Sequence, residues 1–497
     1  MALTKQAKTD NWPRTILLAA LYASPALLAI GSLLQEGSQN PDLWWHLSTG
    51  AWITQHHAVP VTDPFSTYGM NKPWVAYSWL FEVIIHQLYK WLGLVGPGVY
   101  LLLMVVAIGV VLHRAISSRM GGFTEPYALT GFTLFAMAPL YSVRPWLFSI
   151  LFFTIELDIL FPKFLDMPEG RATRRVWLLP LLFAFWANVH IQFVYGLAIL
   201  VFAALIQHVA LMNIPESLQT VTAPDQRQPN LWVVTGVSFL ATLANPYSWR
   251  IYLVAREYAG ENGSYNLVSE LMAPRFRSLS DYIPIVVVLV AAYVLGRARL
   301  RSSVFTNLLL MGTTLVSLHS SRDRWACLVV AMLIIAEVCG KEIPAIAPLP
   351  RAYRFVALPL ALMFVFAWAK GRGLSNARLE DITSHAFPAK AAEFVMQRGL
   401  PGPLYNDFDW GGYLIWRLPR LPVSMDGRTN VHGDARIVRS VATWRCMSGW
   451  KNDPEFAAAN LVIGPAESPL SSFLKGDTGY QLMYEDETAV VFVKRAN

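Results

Sequence analysis

Asp42 and His46 stand four residues apart in NPDLWWHLSTG, residues 40–50, so a helix there would carry both on one face. A carboxylate beside an imidazole can exchange a proton with a hydroxyl or share a cation. Asp63 opens a second turn, TDPF, and Glu82 follows in YSWLFEVIIHQLYKWL. Three carboxylates close in sequence, just after a long apolar run, supply a general base and oxygens for a cation. The competing reading makes Asp42 the cap of a helix opening at Leu43, with Trp44 and Trp45 in an interfacial belt rather than on a substrate.

A second group is cationic. Arg144 lies in SVRPW, Arg322 and Arg324 in SSRDRW, and Arg275 and Arg277 in the 246–281 segment. The guanidinium fork suits phosphate, and an arginine at membrane depth is costly enough to mark function. Snorkelling to headgroups, or pairing with a carboxylate, is the alternative. Asn188 and His190, in WANVHIQF, sit at a helix break, where a lone histidine is more often a packing group than a ligand contact. Glu156 and Asp158 read as snorkelling or pairing with Lys163. In YNDFDWGGYLIW and MDGRTN, Asp409, Asp426 and Arg428 are turn formers or contacts for an acceptor, and Gly411–Gly412 reads as a tight turn. The chain has no glycine-rich phosphate loop, no His-Glu-x-x-His zinc motif and no nucleophile elbow.

The elements that must hold these residues follow from composition. Only 15% of the 497 residues are charged and 54% are hydrophobic, against about 25% charge in soluble chains. This is an integral membrane protein. Its net charge of +7 belongs to orientation-setting loops and not to nucleic-acid binding. The three cysteines have neither metal-ligand spacing nor the pattern of a disulfide framework. Apolar runs at about 15–34, 97–113, 127–142, 146–162, 176–190, 193–212, 231–245, 283–296, 303–318, 325–339 and 355–369 predict eleven helices. The run 15–34 is bilayer length, longer than a signal-peptide core, so it reads as an uncleaved first span with a cytoplasmic amino terminus.

Residues 77–92 carry Glu82, His86 and Lys90 along one stripe opposite Leu, Ile and Phe, the pattern of a helix lying in the interface. If that segment does not span, Lys5, Lys8, Arg14, Arg114, Arg119, Lys163, Arg171, Arg227, Arg299 and Arg301 all fall on the inner side, as the positive-inside bias requires. Every polar motif above then falls outside. After Lys370 the pattern turns to alternating α/β, with helices at PAKAAEFVMQRG and WGGYLIWRL. Strands are expected at PLYND, PVSMDG and ANLVIGP, and a hairpin at YQLMYEDETAVVFVKR turns near Glu485–Thr488. The expected protein is an α-helical polytopic domain at 1–370 and an extracytoplasmic α/β domain at 371–497, periplasmic in a Gram-negative host.

A first span followed by an outer loop of juxtamembrane helices with an early Asp resembles the glycosyltransferase C superfamily. PDLWWHLSTGAWI, PVTDPFS, RPWLFS, WANVH, FDWGGYLIW and DGR are similar to a set of bacterial membrane proteins of that architecture. The resemblance implies a polyprenyl-phosphate sugar donor and an inverting transfer to a glycan, lipid or protein acceptor, on the outer face of the bacterial cytoplasmic (inner) membrane. It places Asp42 as the early-loop base or acceptor-orienting group, with His46, Asp63 and Glu82 around it. Arg144, Arg275, Arg277, Arg322 and Arg324 would take the donor phosphate, and Trp44, Trp45, Asn188, His190, Asp409, Asp426 and Arg428 the substrates. The sequence departs from the superfamily's two-acid pattern, since Leu43 and Trp44 follow Asp42. A divalent metal is therefore left open, with Asp42 and His46 the only ligands to offer. Two other classes stay in play. A transporter would pair charges near mid-bilayer and show repeated halves, and a non-catalytic glycan-assembly subunit would keep the same fold.

Overall fold

The structure is a computed structural model that describes residues 11–36, 40–70, 72–161, 174–212, 229–260, 271–297, 304–344 and 349–495. The inner-loop cations Lys5, Lys8, Lys163, Arg171, Arg227, Arg299 and Arg301 lie outside the described residues. Each of the eleven apolar runs is helical: α1 (Trp12–Glu36), α4 (Val95–Ser117), α5 (Thr124–Ala136), α6 (Trp146–Leu160), α7 (Leu179–Val189), α8 (Phe193–Met212), α9 (Leu231–Thr242), α11 (Leu279–Arg297), α12 (Val304–His319), α13 (Arg324–Gly340) and α14 (Arg351–Gly371). Three further helices, α2 (Pro41–His56), α3 (Trp79–Leu92) and α10 (Ile251–Gly260), are interleaved with them. Among the described residues, α1, α4, α11 and α14 are long and apolar enough to cross a bilayer. Shorter α6 and α13 are shielded by neighbours along nearly their whole length. The molecule is a multi-pass membrane protein. Asp158 on α6 pairs with Arg119, Arg175 and Arg114 at 3.5–3.8 Å; Lys163, the partner expected for it, lies outside the described residues.

Between α1 and α4 the chain builds the platform of the site. Asn40 caps α2 by accepting the Asp42 backbone N–H at 3.1 Å, with Pro41 in the first turn, where its missing N–H costs nothing. Helix α3 packs along α2 because Gly50 has no side chain, a Cβ there running into the Glu82 carbonyl and the His86 Cβ. That close approach corrects one expectation. Glu82 does not face headgroups with His86 and Lys90; it is 1% exposed and points back onto α2.

After α14 come α15 (Asn376–Ala386), α16 (Ala389–Arg398), β1 (Leu404–Asn406), α17 (Gly411–Arg417), α18 (Asp434–Trp444), β2 (Leu461–Pro465), α19 (Pro469–Gly476), β3 (Tyr480–Glu485) and β4 (Ala489–Lys494). The sheet order is β1-β2-β4-β3, with β1 parallel to β2 and the other pairs antiparallel. The hairpin turns at Asp486–Thr488, where the Asp486 carboxylate accepts the Thr488 and Ala489 amides. PVSMDG is not a strand of this sheet. Its Val423 instead bridges Ser66 in the first loop, with backbone bonds from Thr67 N–H to Val423 O at 2.9 Å and from Val423 N–H to Phe65 O at 3.1 Å. Gly411 and Gly412 are likewise helical and not a turn. They let α17 lie against Met425–Asp426 and against Pro41 and Trp45 of α2. The apolar core of the bundle runs without a break into this module through Trp44, Phe387, Tyr413, Leu414 and one face of the sheet. The other face closes over its own cluster around Tyr405, Trp444 and Phe492.

Candidate functional site

At the module end of the bundle lie two cavities that share a wall. The first, about 510 Å³, is enclosed between α2, α3, the start of α6 and the module segments 407–409, 427–430 and α18. The second, about 720 Å³, opens beside α1 and α4 and is ringed by Arg144, Arg275, Arg277, Arg322 and Arg324. Pro41, Arg144, Trp146 and Arg322 belong to both.

Asp42 is in the first cavity, at the start of α2, and Arg144 Nη1 donates to its Oδ2. Arg144 precedes Pro145 and α6, and its carbonyl accepts from Tyr100 at 2.9 Å, so the guanidinium leaves a fixed backbone. Gly427 of the module lies against the same carboxylate, where a Cβ would overlap Asp42 Oδ1. The tertiary structure thus puts a carboxylate, its cation and a module backbone at one point.

His46 is one turn further along α2 and borders the same cavity. Its Nδ1 is 3.1 Å from Glu82 Oε1, and its ring lies under that of Trp45. Burial pushes the His46 imidazolium well down and the Glu82 carboxyl well up. The two are joined by that one contact. Glu82 Oε2 has no partner.

Asp63, expected beside Asp42, is elsewhere. It accepts from Phe65 N–H, Ser66 Oγ and Arg428 Nη1 at 2.9, 2.5 and 2.6 Å, and is fully buried. Arg428 in turn donates to both Asp426 oxygens at 2.8 and 2.7 Å and lies over Trp74. Burial alone would raise the Asp426 carboxyl, yet Arg428 and His432 hold it well below the carboxylate range. Asp63, Arg428 and Asp426 form an ionic clamp between first loop and module. Arg428 borders the cavity, whereas Asp63 and Asp426 do not.

The remaining candidates separate cleanly. Trp45 and His190 line the first cavity, whereas Trp44 is core, packed edge-on against Phe387 and Tyr413. His190 is hydrogen-bonded to Ser149 at 2.8 Å. Asn188 does not reach either cavity, because its amide joins Trp79 to the Ala184 and Ala244 carbonyls. Arg322 borders both cavities, on a turn anchored by Asp323, which Gln192 and Tyr195 hold at 2.5 and 3.2 Å. Arg324 is committed to the Ser321 and Ser280 carbonyls and faces Asp281 at 3.7 Å. Arg275 and Arg277 line the second cavity.

Several lining residues escaped the sequence reading, among them Trp74, Tyr77, Ser78, Trp146, Tyr258, Asp407, Trp444 and Arg445. Tyr77 and Tyr258 meet hydroxyl to hydroxyl at 3.1 Å across 181 residues, which no local pattern announces. Asp407 had a signal, an Asp two residues before Asp409 at a helix start, where it accepts the Asp409 N–H at 2.9 Å. Burial, then the neighbouring Asp409 charge, pushes Asp407 up to about 7, and burial raises Asp409 as well. An unfolded aspartate titrates near ~3.9. The folded chain therefore holds the extra proton between about pH 4 and 7, and stability falls as pH rises through that window. Asp407→Asn is expected to melt progressively higher than the parent as pH goes from 5 to 8. A difference that stays constant with pH would refute the burial of this carboxyl.

Among the described residues, no three His, Cys, Asp or Glu side chains gather as a metal site. Asp42 and His46, the two ligands considered, are engaged separately by Arg144 and Glu82.

No protein-family model matches the chain, and no curated protein matches it. Solved structures do. The oligosaccharyltransferase of Archaeoglobus fulgidus, tethered to an acceptor peptide containing the NVT sequon, is 11% identical and aligns over 98% of this chain and 74% of its own, with a TM-score of 0.50. ArnT from Cupriavidus metallidurans bound to undecaprenyl phosphate is 14% identical over 96% of this chain and 98% of its own, with a TM-score of 0.47. At such identities the likeness is one of fold. The structural neighbours are glycosyltransferases of the C superfamily, and this chain shares the architecture of the oligosaccharyltransferase.

Proposed function

We propose that the protein is an inverting membrane glycosyltransferase that moves a sugar from a polyprenyl-phosphate-linked donor to an acceptor on the outer face of the bacterial cytoplasmic membrane. The observation that carries this reading is the shared wall of Arg144 and Arg322 between the arginine-ringed second cavity, beside membrane-spanning helices, and the first cavity, which holds Asp42. An amphiphilic phosphate fits the arginine-ringed cavity, its tail along α1 and α4 and its charge among guanidinium groups. An acceptor fits the Asp42 cavity.

In the transfer, an acceptor hydroxyl attacks the anomeric carbon as the bond from that carbon to the phosphate oxygen breaks. The hydroxyl proton passes to Asp42, and the polyprenyl phosphate leaves with the bonding electrons toward Arg144 and Arg322. Attack from the cavity opposite the leaving group inverts the configuration. Arg144 occupies the Asp42 carboxylate. A donor phosphate that recruits Arg144 weakens that pair and frees the carboxylate, so donor binding prepares the base. The candidate site residues Asp42, Arg144 and Arg322 share one end of the bundle, whereas a transporter would place its site near the midplane.

Arg322 and Arg324, read together from sequence, are expected to differ. Losing a charge-assisted hydrogen bond of about 1.5–3 kcal/mol should weaken undecaprenyl-phosphate binding about 10- to 100-fold in Arg322→Ala. Arg324→Ala should instead lower the melting temperature, since its bonds go to protein carbonyls. Parent-like binding in Arg322→Ala would remove the donor site from this cavity.

A further inference from the structure

We infer that the acceptor bound in the first cavity is a saccharide, recognised through a hydroxyl-rich ring by Asp407 and Asp409 of the module together with the indoles of the platform. The inference rests on the transferase reading and names the acceptor class that reading leaves open. The cavity, about 510 Å³, is within the size range of small-molecule sites, about 300–1,000 Å³.

Its chemistry has three parts. Asp407 and Asp409 stand two residues apart on one module turn, both bordering the cavity. Neighbouring carboxyls can hold vicinal hydroxyls as donors or acceptors. Trp45, Trp74, Trp146 and Trp444 border the same space and are all at least nine-tenths buried. Indoles combine apolar area with a polar edge, the combination needed for the C–H faces of a sugar ring.

The third part is independent of these. Three side chains of the cavity lining end in polar atoms with no partner: Trp45 Nε1, Ser78 Oγ and Glu82 Oε2. Their residues are 6%, 1% and 1% exposed. Trp45 Nε1 lies at the Asp42–Gly427 edge, within 3.5 Å of where a Gly427 Cβ would stand. Buried polar groups without partners are costly, and residues of the lining that carry an indole N–H, a hydroxyl and a carboxyl oxygen in this state suit a ligand that donates and accepts at every position. Sugar hydroxyls do so.

A peptide acceptor would make different demands. Extended peptides are held largely by main-chain bonding to a free strand edge, and none of the residues lining the cavity lies on β1–β4. A lipid acceptor would find carboxylates where it needs apolar walls.

The test is binding rather than turnover, using the full-length protein in lipid nanodiscs. Intrinsic tryptophan fluorescence would be titrated with methyl glycosides and disaccharides of neutral hexoses, N-acetylhexosamines and uronic acids, and with amidated tripeptides. Saccharides are expected to bind and tripeptides to show no binding. Asp407→Asn/Asp409→Asn and, separately, Trp45→Phe should each lose about tenfold in saccharide affinity. Lys475→Ala, on the exposed far side of the module, should lose none. Tripeptide binding, or no saccharide binding in protein that still binds undecaprenyl phosphate, would overturn the inference, and the second of these leaves the transferase reading standing. Saccharide binding without any transfer of sugar would overturn the transferase reading and with it the acceptor role of the bound saccharide.

Discussion

Asp42→Asn is expected to insert, fold and dock its C-terminal module like the parent, yet to transfer sugar 10²–10⁴-fold more slowly, the usual loss of a general base. The two side chains are nearly isosteric, and Asn can still accept from Arg144. Capping of α2 is untouched, because Asn40 and not residue 42 makes the cap. The sequence reading had balanced capping against catalysis at Asp42, and the structure removes the capping role. What the variant loses is negative charge and proton affinity. The measurement is mass spectrometry of surface glycans and glycoproteins in a deletion strain carrying the parent or variant gene, with undecaprenyl-phosphate binding as a folding control. Parent-level glycosylation would hand the base role to the His46–Glu82 pair, which borders the same cavity.

The second large effect belongs to Arg428, and it is structural. Arg428→Met would leave Asp63 buried without a counter-charge and Asp426 with His432 alone, and breaking one member of a buried ionic group costs about 3–5 kcal/mol. The loss falls on the join between first loop and module, since Asp63 and Asp426 belong to opposite sides of it. Hydrogen exchange should rise at the Thr67 and Val423 amides, which bond across that join, and the melting temperature should drop. Asp63→Asn should show a weaker form of the same change, because Asn can still accept one of the Arg428 bonds. Both lower activity indirectly, by opening the cavity that the module roofs. Unchanged exchange at Thr67 and Val423 in Arg428→Met would show that the apolar contacts of α17 with α2 hold the module alone.

Much of this molecule is local and therefore legible in sequence. Eleven helices follow from runs of apolar residues, because a backbone in lipid must satisfy its own hydrogen bonds within the segment. The Asn40–Pro41 start of α2 and the Asp486–Thr488 turn are short-range side-chain chemistry of the same readable kind. Asp42 and Arg144 were each recognisable as functional candidates, from a carboxylate after the first span and an arginine at a helix end.

Their partnership was not, because it joins positions 102 residues apart. Only the packing of α2 on α3, through Gly50, turned Glu82 from a headgroup-facing residue into the partner of His46. Only the return of the module onto the first loop separated Asp63 from Asp42 and made it the anchor of Arg428. PVSMDG has the alternation of a strand, but its Val423 pairs with Ser66 and not with the sheet. Periodicity records that a segment is half buried and not what buries it. Residue types and spacing thus determined which elements form and which side chains could do chemistry. The tertiary structure decided which of those side chains meet, since a distance between two charges is fixed by the packing of the elements that carry them.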